Sequence, residues 1–573
     1  VSPSMKHFCL NDQEFARTVI MVDCPDRALR EIYLRPFEIA ALEGDAWAFV
    51  NSYNGYRGEW TSHSWALNRI LFEEGWKGAL VSDWGGYRDD VPAINGGSSM
   101  ETPAGIDRER DRREVAQVES GEISGERFED AVRRTLRLAF RVGAFDFNTP
   151  AERAEQDRCE AAFRNEEHLA LSYRAAAEGL VLLQNERGYL PLDQSKIGKV
   201  VIAGPNADQY HSMIDGRDLK YRGGSGAVKA GREITPLMAA VERFGRDNVV
   251  WAPTMRFENA DSDEAVSVPG VKACADPIAA AKEADLVIYC GGLDHSLDRE
   301  VLGWGMIYPN DRPNLNFKTV DGAEKTQEEW IIELAKANAN TIVSITAGAA
   351  VSTESFKKSV PSILLTWYPG EFAGEILLDA VFGKINPSGR LPITIGRKIE
   401  DWPCHRMGEK VYPGIVFNEP RPWKGSDIMA EQSYDDGIWV GYRGFEHFGV
   451  EPEYPFGFGL SYTTFKISKG KAKDGVFTAG VKNTGKRKGR CVVQCYVSKP
   501  EQPGAEMPVK ELVRFASVEL EPDEEKTVSF ELGEDDFRYW SEKENGWRVA
   551  KGKSKVLIGA SSVDLPVAYS VKN

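Results

Sequence analysis

"KGALVSDWGG", residues 77–86, decides how the first part of the chain folds. Ala79 to Val81 form a short apolar run, as a strand buried in a sheet does. The run ends in a carboxylate and a large aromatic, Asp83 and Trp84, followed by two glycines. The same rhythm surrounds it. "SPSMKHF" reads as a strand and "DRALREIYLRPFEIAAL" as a helix; "AWAFVNSY" reads as a second strand, with a helix around "SWALNRILFEEG". After "GALVSDW" come a charged helical stretch, then "VPAINGGSSM" as a fourth strand, then the helix "RFEDAVRRTLRLAFRVG". Four successive βα units predict a parallel sheet with helical crossovers. Lys6, His7, Asn51, Tyr53, Asp83 and Trp84 then all fall at C-terminal strand ends. In a (β/α)8 barrel that face carries the active site. An Asp-Trp pair at the tip of a buried strand is therefore read as the floor of a pocket.

Farther along, "AFDFNTPAERAEQD" reads as a linker and "EEHLALSYRAAAEGLVLLQ" as a helix. A second α/β run follows, with strands "KVVIAG", "NVVWAP", "ADLVIYCGG", "NTIVSITAG" and "SILLTWYPG". Strands this continuously apolar imply a sheet buried on both faces. From about residue 400 the chain is rich in Pro, Gly and aromatics, with few periodic segments. After residue 465, closely spaced segments such as "VFTAGVKNTG", "CVVQCYVSK" and "KTVSFEL" predict a small β-sandwich.

Composition excludes several function classes. The chain has 573 residues, 42% of them apolar, which is enough for several packed cores. Lys and Arg number 71 against 87 Asp and Glu, a net charge of −16. That balance disfavours nucleic acid and anionic membranes, which reward clustered positive charge. No apolar run approaches the ~20 residues of a membrane helix. The eight cysteines contain no CxxC and no zinc-like pairing with the seven histidines, so mostly free, buried thiols are expected. No N-x-S/T sequon marks a secreted glycoprotein. Cytoplasm, periplasm and secretion all stay open.

The motifs "KHF", "NSYN", "VSDW", "EGLVLLQN", "GGSG", "WYPGEFAG", "NPSGRLPIT", "VGYRGFE" and "PFGFGLSYTTF" occur in that order. Together they resemble glycoside hydrolase family 3, the β-glucosidases, β-xylosidases and relatives with a fibronectin-type-III-like C-terminal domain. The resemblance implies an α/β chain in five parts. These are the C-terminal half of a (β/α)8 barrel over 1–147, a linker over 148–165, an α/β sandwich with a mostly parallel sheet over 166–400, an irregular connection over 401–464, and a fibronectin-III-like β-sandwich over 465–573. It also implies an exo-acting, retaining β-glycosidase that needs no cofactor. A β-glucosidase is the leading expectation. A β-xylosidase or a broad-specificity β-glycosidase is the alternative among enzymes, and a non-catalytic carbohydrate-binding fragment the alternative outside them. β-Linked oligosaccharides or aryl glucosides are the expected partners; a homodimer is left open.

Retention requires two carboxyl groups ~5 Å apart. Asp83 stands where the family places its nucleophile, although a strand-end Asp also commonly caps a helix. Trp84 offers a face for a sugar ring, or fills a core. By resemblance Lys6 and His7 donate to sugar hydroxyls, and Tyr53 hydrogen-bonds the nucleophile. Arg17 is expected to order its loop through Glu14 or Asp12. Glu300, in "GGLDHSLDREVLGWG", aligns with the family's acid/base, with Asp298 and Asp294 as alternatives. Apolar neighbours Val301, Leu302 and Trp304 would favour its protonated form by desolvation. Gln184 replaces a Lys usual in the family and is read as structural. "GGSGAV" at 223–228 lacks the Lys-Ser/Thr of a phosphate loop and is read as a tight turn near a domain interface. Four βα units cannot close a barrel of eight. The first half, with the Asp and Arg that the family uses to hold the sugar's outer hydroxyls, is expected from a longer chain or a second polypeptide.

Overall fold

The structure, a computed structural model, describes residues 2–103, 108–146, 149–161, 165–214, 228–257, 265, 267–298, 300, 311–423 and 426–572. Strands Ser4–Phe8, Ala48–Asn51, Ala79–Trp84 and Met100–Thr102 lie side by side in that order, all parallel. Phe8, Phe49 and Leu80, one from each of the first three, point to one core with Phe37, Leu67, Leu71 and Trp76 from the crossovers. Phe49 stacks on Trp76 with ring centroids 4.3 Å apart. The fourth strand is not where the sequence pattern put it. "VPAIN" belongs to the helix Asp90–Asn95, and the strand follows it. The Asp89 side chain accepts the Val91 N–H at 3.2 Å, and Pro92 falls in the first turn, where a missing N–H costs nothing. The apolar run read as a strand is the buried side of that helix.

Within the expected linker, Pro150–Ala161 is helical. Glu166–Gly179 is the expected next helix, but it stops before "VLLQN". Val181–Asn185 is instead an edge strand, antiparallel to Ser362–Leu365. It completes a six-stranded sheet whose other five strands are parallel: Val249–Ala252, Val200–Ala203, Leu286–Gly292, Thr341–Thr346, Ser362–Leu365. Alternate residues of each strand feed two separate cores. Ile202, Ile288 and Leu364 face one side; Val201, Val287 and Ile363 face the other. This is the doubly covered sheet that the apolar strands predicted.

The 401–464 stretch is not irregular throughout. Ile415–Trp423 and Ser426–Ser433 form a hairpin. Its second strand pairs in parallel with Ile20–Asp23, in a five-stranded mixed sheet that also contains Gly55–Tyr56 and Glu59–Trp60. Its first strand is an edge, where a sheet tolerates prolines such as Pro420 and Pro422. Those prolines hid the hairpin from a period-2 reading. The C-terminal sandwich packs Phe465–Lys473, Val476–Asn483 and Glu525–Glu531 against Glu511–Leu520, Gly489–Ser498, Lys553–Gly559 and Val567–Lys572. Phe477, Val493, Phe530 and Ile558 fill its core, with Cys491 and Cys495. All eight cysteines are free thiols. Trp540 of the sandwich donates its backbone N–H to Glu31 at 2.7 Å, which fastens the C-terminal domain to the first sheet's helices.

Candidate active site

Asp83 is the next-to-last residue of its strand and is 7% exposed; Trp84, beyond it, is 65% exposed. Gly85, at φ +70°, then turns the chain, a conformation that costs other residues a clash of Cβ with backbone. The turn brings the Gly86 N–H to the Asp83 carbonyl at 2.8 Å. At "DWGG" the strand ends, the carboxylate stays in, the indole stays out, and the glycines fold the backbone away.

Two oxygens of Asp83 see different surroundings. Oδ1 accepts the Trp84 N–H at 2.8 Å. Oδ2 lies 3.0 Å from His7 Nε2, which comes from the tip of the first strand. Tyr53, from just beyond the second strand, donates its hydroxyl to the Trp84 carbonyl at 3.1 Å and also acts on Asp83. Burial alone would raise the Asp83 carboxyl, but contact with His7, the Trp84 N–H and the Tyr53 hydroxyl outweigh it and hold it below its ordinary value. Conversely, burial and then Asp83 push the Tyr53 phenol up, so it stays a neutral donor. Lys6 is exposed beside His7.

The second carboxylate comes from the other sheet. Gly292 ends the strand Leu286–Gly292 at φ +117°, and a Cβ there would stand 2.2 Å from the Thr346 carbonyl oxygen. Only glycine lets the chain leave the sheet at this point. In the loop beyond, Asp294 is buried against Lys318 at 2.7 Å and accepts the Ser296 hydroxyl at 2.6 Å. Asp298 accepts the Tyr368 hydroxyl at 2.9 Å and the Gly348 N–H at 2.7 Å. Both alternatives are thus bound into the fabric of their own domain. Glu300 instead reaches across to the first sheet: its Oε1 meets Arg17 Nη2 at 2.8 Å. Arg17 also lies over the Tyr53 ring, 5.1 Å from its centroid, and Asp83 and Glu300 both bear electrostatically on the Tyr53 hydroxyl. Two carboxylates from two domains therefore flank one tyrosine. The desolvating neighbours expected of Glu300, Val301, Leu302 and Trp304, lie outside the described residues, as does 223–227 of the "GGSGAV" stretch.

Arg17 does more than the sequence suggested. It pairs with Glu14 at 3.3 Å, as expected, but its other arm holds Glu300. Asp12 is not its partner; it accepts the Tyr434 hydroxyl at 2.8 Å. No local pattern could reveal an ion pair between residues so far apart in the chain. Gln184 is a brace: its side-chain amide donates to the carbonyls of Lys357 at 2.8 Å and Val360 at 2.6 Å. Among the described residues no group of His, Cys, Asp and Glu could hold a metal ion, and no helix is long and apolar enough to cross a membrane.

Comparison with known proteins fits this geometry. Residues 180–462 match the glycosyl hydrolase family 3 C-terminal domain, and 491–562 a fibronectin type III-like domain. A curated beta-glucosidase of Bacteroides ovatus is 33% identical over 99% of this chain and 74% of its own length. The chain belongs to glycoside hydrolase family 3. A thermostable beta-glucosidase B of Acetivibrio thermocellus is 30% identical, over 100% of this chain and 69% of its own. Among solved structures, the GH3 beta-glucosidase of Bifidobacterium adolescentis superposes with a TM-score of 0.79 at 29% identity, covering 100% of this chain and 76% of that one. Beta-glucosidase 3B of Thermotoga neapolitana, solved in complex with glucose, gives a TM-score of 0.78 at 27% identity, covering 100% and 77%. As a family member, this glycoside hydrolase has the α/β sheets and the C-terminal fibronectin-like sandwich described above.

Proposed function

We propose that this glycoside hydrolase is an exo-acting, retaining β-glucosidase that removes glucose from the non-reducing ends of β-glucosides. The observation that carries the reading is Asp83: buried at a parallel strand's C-terminal tip, held ionised by its neighbours, with one oxygen turned to His7 rather than to backbone. In this reading Asp83 Oδ2 attacks the anomeric carbon as the glycosidic C–O bond breaks. Glu300 gives its proton to the leaving oxygen. Water then attacks the glycosyl-Asp83 ester, losing its proton to Glu300, and glucose leaves with its configuration retained. His7 and Lys6 donate to the hydroxyls of the bound sugar, Tyr53 steadies Asp83, and exposed Trp84 gives the ring a face to lie on. Names of relatives support glucose as the sugar.

One further name favours a second reading of the sugar. An exo-alpha-(1->6)-L-arabinopyranosidase of Bifidobacterium longum is 29% identical over 100% of this chain. A pyranose without a hydroxymethyl group is therefore the alternative substrate.

The site is completed, on this proposal, by further strands of a (β/α)8 barrel, supplied by a longer chain or a second polypeptide. Two features support it. The described parallel sheet has only four strands, which cannot close. On the helix Gly125–Arg141, Val132, Leu136 and Phe140 recur at four-residue spacing and are 41%, 44% and 68% exposed, an apolar stripe of the kind that packs against a neighbouring helix. A 2-deoxy-2-fluoro-β-glucoside with a good leaving group tests the chemistry. It should esterify Asp83, seen by peptide mass after digestion. A label on any other carboxylate ends the assignment.

A further inference from the structure

The pairing of Glu300 with Arg17 is not the sole tie between these two segments. Another is Asp311, which follows Glu300 in the chain. One of its oxygens accepts the Glu14 N–H and the other the Phe15 N–H, each at 3.1 Å. Such charge-assisted bonds to two successive amides fix a carboxylate in direction as well as distance. The receiving segment is the one that presents Arg17. Glu14 contacts the Arg17 guanidinium through its side chain at 3.3 Å, and its carbonyl accepts the Arg17 N–H at 3.4 Å. On the far side, Gln13 donates to the Pro413 carbonyl at 2.8 Å. Arg312, next to Asp311, turns back and donates to the Ala350 carbonyl of the six-stranded domain. Neighbouring residues thus grip the two domains that supply the two carboxylates.

We propose that Asp311 is a positioning residue for Glu300. It anchors the chain after Glu300 to the 13–17 segment, so that Arg17, which lies over the Tyr53 ring, meets Glu300. This rests on the reading of Glu300 as the acid/base. A misplacement of ~1 Å in such a group is enough to cost about a hundredfold in rate. The loss should fall on the step that needs a proton, not on reactions whose leaving group departs unaided.

The test compares cellobiose with 2,4-dinitrophenyl β-glucoside. Asp311→Ala should lower kcat/KM for cellobiose about tenfold to a hundredfold and that for the aryl glucoside by less than about threefold. Hydrogen exchange at the Glu14 and Phe15 amides should quicken in the same variant. In an Asp311→Ala, Glu300→Ala double variant, the aspartate should add almost nothing to the loss on cellobiose already caused by Glu300→Ala. Asp311→Asn, which keeps the shape and one acceptor, takes the same measurements if the alanine variant does not fold. Equal losses on both substrates, unchanged exchange, or quickened exchange with cellobiose turnover intact would each overturn the proposal. If Glu300→Ala itself hits both substrates equally, the acid/base reading falls and takes this one with it. If Glu300→Ala behaves as expected and Asp311→Ala does not, only this inference falls.

Discussion

The two carboxylates of the site are held in opposite ways. Asp83 sits at the end of a buried strand, and its partners are its own neighbour Trp84 and side chains from adjacent strand tips. Glu300, which follows the strand Leu286–Gly292 in the chain, is 24% exposed and meets a guanidinium from the other domain. The first arrangement fixes a charge; the second fixes a place. On the proposed mechanism the nucleophile must be ionised when it attacks, so rigid donors around a buried oxygen serve it. An acid/base must gain and lose a proton in each turnover, so a tether at the pocket's edge serves it better than a cage. Asp298 and Asp294, by contrast, are held within their own domain, by Tyr368 and Gly348 and by Lys318.

The sharpest break of that comparison is Asp83→Asn. The amide keeps the side chain's shape and can still accept the Trp84 N–H, so the melting temperature should hold. Turnover of every glucoside should fall by about four to six orders of magnitude, as loss of a covalent nucleophile does. A variant retaining even a hundredth of the wild-type kcat would place the nucleophile elsewhere.

Glu300→Ala should cost less and cost it selectively. Cellobiose should lose about two to four orders of magnitude, the range of general acid–base assistance. An aryl glucoside with a dinitrophenolate leaving group should keep far more of its first step, and azide should restore part of the second as β-glucosyl azide. If Asp298→Ala gives this pattern and Glu300→Ala does not, the contrast between tethered and caged carboxylates is wrong.

Smaller still is the effect of the partner of Asp83. His7 is among the groups that hold the Asp83 carboxyl below its ordinary value. With Asp83 as the proposed nucleophile, catalysis needs the ionised form, which is present above that carboxyl's pKa and lost as pH falls through it. Removing His7 takes away a stabiliser of the ionised form, so His7→Ala should move the acidic limb of kcat/KM toward higher pH. The plateau should also drop about 10- to 100-fold for the lost contact with a sugar hydroxyl. A limb that stays put, or moves toward lower pH, would mean that His7 serves the sugar alone.

How much of this was legible in the sequence follows the same divide. The strand tips could be read because a buried strand's period and its sudden polar end are both local. That reading places Lys6, His7, Tyr53, Asp83 and Trp84 at strand ends, while their roles come from the resemblance to the family. "VPAIN" misled because a short apolar run looks alike in a strand and on a buried helix face; the deciding feature was the Asp89 cap in front of it. "VLLQN" was merged into the helix before it because nothing in its composition marks the break after Gly179. The hairpin at 415–433 was hidden by prolines that an edge strand accepts. What no window could show was the meeting of Arg17 with Glu300, or of Asp311 with the amides of Glu14 and Phe15, because these depend on how two domains are docked.

The smallest expected effect on chemistry belongs to Gln184, and it sharpens the comparison by its absence from the site. Its amide donates twice, to the carbonyls of Lys357 and Val360, and so ties the antiparallel edge strand to the turn leading into the strand beside it. Gln184→Ala leaves two partly buried carbonyls short of a donor, at a cost of about 1–3 kcal/mol. The melting temperature should drop by roughly 2–10 °C, while kcat on cellobiose and on the aryl glucoside stays within about twofold of wild type. A longer cation could reach the same carbonyls, so Gln184→Lys should recover part of the stability and leave kcat where it was. A large fall in kcat with the fold intact would mean that the six-stranded domain transmits the state of its edge to the Glu300 loop. Stability held in the sheet and chemistry at Glu300 would then not be separate.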